Sequence, residues 1–236
     1  MTPENTNLRY GFYASLAVVF MTILTWVVAM FAVPPAGPYC MGDCMEYPYT
    51  DLLDYYPRDY IWMYLAIFQV FAYLLFTVSI YFTTRSDRKI FGFSSMAFSI
   101  ITAIILLTAY FIQFSVVPIS MMNGESEGIA LLTQYNGHGI FIAMEDLAYI
   151  TMSISFLFLA LTFSRETGLE KAIRAVFLTA FPLIILAFTY YTVIHGLDRS
   201  YRFEVAAISV DWLVLISTGI MLSLYFRKKI KARQQD

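Results

Sequence analysis

Residues 137–163 read GHGIFIAMEDLAYITMSISFLFLALTF, an apolar run that nonetheless carries His138, Glu145 and Asp146 near its start. A helix crosses roughly 30 Å of hydrocarbon with about 20 mostly apolar residues, so this stretch is long enough to span a bilayer. An acidic side chain at the centre of such a helix costs about 2.5–3.5 kcal/mol on insertion scales, so the two carboxylates should face the protein interior.

Working outward, the same reading gives spans at about 11–33, 60–82, 90–117, 139–163, 175–195 and 205–226. With 59% hydrophobic and 14% charged residues, the chain lies far from an ordinary soluble domain, in which about a quarter of residues are charged. The expected fold is all-α: one polytopic domain, a bundle of six transmembrane helices, with short interfacial helices in the external loops. The first run is longer than the roughly 7–15-residue core of a signal peptide and reads as a permanent span.

Twelve of the fifteen Lys and Arg residues fall before span one or after spans two, four and six, leaving Arg58, Arg199 and Arg202 on the other side. Cytoplasmic loops carry the basic excess, so both termini are expected in the cytoplasm of a multi-pass plasma-membrane protein. The basic tail RKKIKAR (227–233) suits that topology and anionic lipid. With a net charge of −2 and no aromatic-interleaved basic domain, no nucleic-acid partner is expected.

Cys40 and Cys44 stand in the first external loop as CMGDC, where a disulfide is the natural reading. Free thiols or a redox or metal pair remain alternatives, although CxxxC without an adjacent His is a weak motif for either. In the same loop Thr50 is placed as a helix cap and Pro57 as a stop, with Tyr55, Tyr56, Tyr60, Trp62 and Tyr64 at headgroup level. The segment 118–137 predicts a short helix over 127–135, capped by Ser126 and ended by Asn136 and Gly137, lying over the bundle as a lid.

His138 precedes Glu145 by seven residues, and Glu204 precedes Asp211 by seven. Nearly two helical turns put each pair on one face, about 10 Å apart along the axis. The reading places Glu145, Asp146 and Asp211 at similar depth, with Gln113 beside them and His195 and Arg202 near the mouth. Glu145 is expected on the His138 face as a proton-exchanging pair, and Asp146 against a neighbouring helix. Such carboxylates can equally hold helices together through Arg, Tyr or Gln partners.

A metal site built on His138, His195 and a carboxylate has no supporting spacing such as HExxH, so no metal and no cofactor are expected. Phosphate-binding and GxSxG motifs are absent, and no Lys lies within the expected spans, which excludes a retinal Schiff base. No repeat relates the two halves, which weakens the case for a transporter. Pro182 could kink the fifth span.

YPRDYIWMY (56–64), FIQFSVVPISMMNGESEGIALLTQYN (111–136), GIFIAMEDLAYI (139–150) and YRFEVAAISVDWLVLI (201–216) resemble a family of uncharacterised prokaryotic six-span integral membrane proteins. The resemblance covers most of the chain and implies the fold but no activity. The functional expectation is an outward-facing polar pocket walled by spans three to six. It would bind a small molecule or cation, with transport by proton exchange at Glu145. The alternatives are a membrane enzyme doing acid/base chemistry on a lipid or isoprenoid, and a structural or partner-binding subunit.

Overall fold

The computed structural model describes residues 3–32, 36–199 and 201–235. Val33, at the expected end of the first span, and Pro34 and Pro35 of the following turn lie outside them. Six long helices carry the fold: α1 (Pro3–Ala29), α2 (Ile61–Thr83), α3 (Lys89–Ser115), α6 (Ile140–Thr162), α7 (Gly168–His195) and α8 (Arg202–Ala232). Two short ones, α4 (Val117–Met122) and α5 (Ile129–Leu132), lie between α3 and α6, and there is no strand among the described residues. Each long helix is long and apolar enough to cross a membrane, where a helix satisfies every backbone donor and acceptor internally. The chain is therefore a multi-pass membrane protein in contact with lipid.

In-sequence neighbours pack as a ring, α1–α2–α3–α6–α7–α8, closed by α8 against α1. Within it α6 also touches α8 and α2, making it the central helix. On the lipid-facing side, α1 exposes Tyr13, Phe20 and Val27, and α7 exposes Leu186, Tyr190 and Val193. One end of the bundle carries the loop with the Cys40–Cys44 disulfide, whose Cα atoms are 5.9 Å apart. At the other, basic end Arg88 and Arg174 both donate to the Phe163 carbonyl, tying the α2–α3 turn to the α6–α7 turn.

Several boundaries differ from the sequence reading. α7 starts seven residues early because Thr167 and Glu170 form a reciprocal capping box, a signal present in the sequence. α8 runs on into the basic tail, and α1 begins at Pro3. Lys89, Lys171, Lys228, Lys229 and Lys231 thus fall within helices, but close to their basic ends. Pro182 sits inside an uninterrupted α7.

The caps expected at Thr50 and Ser126 do not form. Thr50 is the first residue of a 3-10 turn, Thr50–Tyr55, that follows Tyr49, and α5 follows Gly128 in a left-handed conformation instead. Asn136 does not end that helix; its side chain bonds the Ala130 carbonyl and the His138 amide.

The α1–α8 seam is tight toward the basic end, where small residues let backbones approach. A Cβ on Gly219 would sit 2.5 Å from Val19 Cγ2, and one on Gly11 would meet the Phe226 ring. Overpacking such a contact costs roughly 1–3 kcal/mol. Gly219→Leu should therefore lower the unfolding midpoint of the detergent-solubilised protein by several degrees, read by intrinsic fluorescence, whereas Leu at exposed Ile220 should leave it unchanged.

Candidate functional site

Where the α1–α8 seam opens toward the disulfide end, it leaves a cavity of about 300 Å³. Trp26 and Trp212 meet edge to face, ring centroids 5.9 Å apart, and both line it. Its walls are apolar, including Ala29, Met30, Trp62, Phe141, Ile142 and Ile208, and Met30, Tyr39 and Val205 are exposed at its rim. The carboxylate lining it is Glu204, only 7% exposed, whose Oε2 has no hydrogen-bond partner.

Behind Glu204 stands Glu145, fully buried on α6 and close enough for the two carboxyl groups to interact. The Tyr110 hydroxyl donates to Glu145 Oε1 at 2.9 Å, and the Tyr149 hydroxyl lies 3.2 Å from that of Tyr110. Because Tyr110 spends its only proton on Glu145, Tyr149 is the donor in the second bond.

The expected His138–Glu145 pair does not exist. α6 begins at Ile140, so His138 lies outside the helix and the seven-residue spacing does not define a shared face. Its Nε2 instead lies 3.0 Å from Asp198 Oδ1, with both side chains exposed. Gln113 does not join the acids either; its amide donates to the Leu132 carbonyl at 2.6 Å and accepts from the Gln134 amide at 2.9 Å. His195 stacks on Tyr191.

Asp146 lies near enough to Arg199 to feel its charge, and Arg199 lies over the Phe188 ring. Arg202 lines a second, polar chamber of about 260 Å³ with Tyr49, His138, Asp198 and Tyr201. Asp211 is fully buried two turns below Glu204, and neither of its oxygens has a partner.

Tyr201 forms part of the wall of both chambers. It holds a left-handed φ of 44°, uncommon for an aromatic residue. Its hydroxyl donates to the Gln134 carbonyl at 2.7 Å, and its ring fills the space that a Cβ on Gly37 would occupy. Burial, followed by the Glu204 carboxylate, raises the Tyr201 hydroxyl above its ordinary pKa, so it remains a neutral donor.

Beside the polar chamber, which takes in His138 and Arg202 of the expected pocket residues, an apolar cavity thus opens between the first and sixth spans, lined by Glu204 and backed by Glu145. The sequence reading missed Tyr110, Tyr149, Tyr201 and the two Trp residues. Tyr149 was within reach, since it follows Glu145 by four residues and so shares its helix face. The rest carry no spacing signal.

No protein-family model, no curated protein and no solved structure matches this chain. The resemblance to prokaryotic six-span proteins therefore extends no further than the six-helix architecture.

Proposed function

We propose that this protein admits an amphiphilic ligand from the surrounding lipid into the α1–α8 cavity. There the Glu204–Glu145 carboxyl pair receives the ligand's cationic or hydrogen-bond-donating group. The observation that carries this reading is Glu204: a nearly buried carboxylate with an unpartnered oxygen in a cavity of apolar walls. An unsatisfied buried polar atom costs about 1–3 kcal/mol, which a ligand donor would recover. The apolar rim at Met30 and Val205 supports entry from the bilayer side. The basic excess supports a cytoplasmic location for both termini, and the disulfide supports an oxidising compartment for the other end.

Interaction between the two carboxyls favours a second reading, in which the pair also moves a proton on the bound ligand. Binding is tested by lipid and metabolite mass spectrometry on the purified protein, comparing wild type with Glu204→Gln and with Ala29→Trp, which fills the cavity. One species should co-purify with wild type and fall by about tenfold or more in both variants, the equivalent of one charge-assisted hydrogen bond in the first. Equal retention in all three proteins, or no bound species in wild type, sinks the proposal.

A further inference from the structure

The polar chamber at the disulfide end is a second space with its own chemistry. It measures about 260 Å³ and is walled by the three connections at that end: Gly37 and Tyr49 between α1 and α2, Tyr135 and His138 between α5 and α6, and Asp198 and Tyr201 between α7 and α8. The side chains of His138 and Asp198 are exposed, so the chamber is reached from water, whereas the α1–α8 cavity has an apolar rim.

Strained backbone gathers around it. Among the described residues, the non-glycine positions with a left-handed backbone are Tyr49, at φ 65°, and Tyr201, at φ 44°, and both line this chamber. That region disfavours bulky side chains. Such conformations persist only where the surroundings enforce them, and they cluster at ligand-binding positions. For Tyr201 the enforcement is visible, in the ring packed on Gly37 and the hydroxyl bonded to Gln134.

The chamber also holds charge without a partner. Arg202 lines it from the first turn of α8, and its guanidinium makes no hydrogen bond or ion pair among the described residues. Asp198 engages His138 Nε2 through Oδ1 at 3.0 Å, which leaves its Oδ2 without a bond among those residues. The Tyr49 hydroxyl is unbonded among them as well, and burial, followed by Tyr47, raises it above its ordinary pKa, so it stays a neutral donor.

An arginine fork matches a carboxylate with two parallel bonds. A lone anion on Arg202 would also meet the Asp198 carboxylate, and a lone cation on Asp198 would also meet Arg202. A molecule that carries both charges avoids both repulsions. The volume lies below the roughly 300–1,000 Å³ of sites for drug-sized ligands, which restricts the occupant to a small molecule.

We infer that the polar chamber binds a small amino acid as its zwitterion, with the carboxylate on Arg202 and the ammonium on Asp198. The Tyr49 hydroxyl supplies a further donor to the carboxylate. Nothing in this assignment depends on what occupies the α1–α8 cavity.

Isothermal titration calorimetry on the purified, detergent-solubilised protein tests it. The probes are the common α-amino acids in turn, β-alanine and γ-aminobutyrate, compared with acetate, methylammonium and phosphoethanolamine, the zwitterion of a lipid headgroup. At least one amino acid should bind saturably, with the three comparison molecules weaker by about tenfold or more. Arg202→Gln and Asp198→Asn should each weaken that amino acid by about tenfold or more, the equivalent of one charge-assisted hydrogen bond. Arg202→Lys keeps the charge without the fork and should fall between. Neither Arg202→Gln nor Asp198→Asn removes a bond within the protein, because an amide oxygen still accepts from His138. Their unfolding midpoints without ligand should therefore match wild type.

The inference is overturned if no amino acid binds saturably, if any comparison molecule binds as tightly, or if Arg202→Gln or Asp198→Asn leaves the affinity within about threefold of wild type. Retention of the co-purifying amphiphile in Glu204→Gln reads a different space and a different ligand, so either idea can fail without the other.

Discussion

Replacing Gln113 with Leu should destabilise the protein by about 2–5 kcal/mol, because it leaves the Leu132 carbonyl and the Gln134 amide without partners. Gln113 is fully buried and holds both groups from α3. The effect is not local to the loop. Gln134 in turn accepts from the Tyr201 hydroxyl at 2.7 Å and reaches the Asp59 carbonyl at 3.4 Å, so one amide positions a segment that bonds the residues leading into both α2 and α8. Tyr135 adds a bond from its hydroxyl to Asp59, itself buried and paired with Arg58 at 2.7 Å.

Thermal unfolding of the detergent-solubilised protein measures the change. Gln113→Glu, which can still accept from Gln134 but donates less readily to Leu132, should fall between wild type and the Leu variant. A loss below about 1 kcal/mol for Leu would mean that the loop is held by its apolar contacts. Ligand retention should drop with stability, since Gln134 and Tyr201 both line the cavity.

Trp212→Ala is expected to cost about 3–5 kcal/mol, the range for truncating a large buried aromatic side chain. Trp212 is 1% exposed, meets Trp26 edge to face, and lines both the apolar cavity and the void beside Tyr149. In lipid the loss is mainly one of packing, because solvent exclusion between helices contributes little. Removing the indole joins the two spaces, so the variant should also accept a bulkier ligand. Trp212→Phe should keep most of the stability. A truncation that leaves the unfolding midpoint within a degree or two of wild type would show that Trp212 does not support the α1–α8 seam.

The acids show how far the amino-acid sequence reached. The burial of Glu145 and Asp211 was legible, because charged groups inside apolar runs must turn away from hydrocarbon, whereas Glu204, placed at the mouth just before the sixth span, is buried as well. The partners of these acids were not legible. The seven-residue rule assumed that His138 and Glu145 shared a helix, but the two residues before Ile140 leave the helical path and carry His138 out to Asp198. Glu145 meets Glu204 across an α6–α8 contact that no local spacing encodes.

The six crossings and the inward turn of the acids follow from hydropathy and helical periodicity, because those properties belong to one segment in lipid and need no knowledge of its neighbours. The position of the cavity, the Glu145–Glu204 contact and the isolation of Asp211 were decided by assembly. They depend on which helix faces meet, and that is set by close contacts such as Gly219 against Val19 and by bonds such as Tyr201 to Gln134. Those residues are far apart along the chain, and their distances exist only once the bundle has closed.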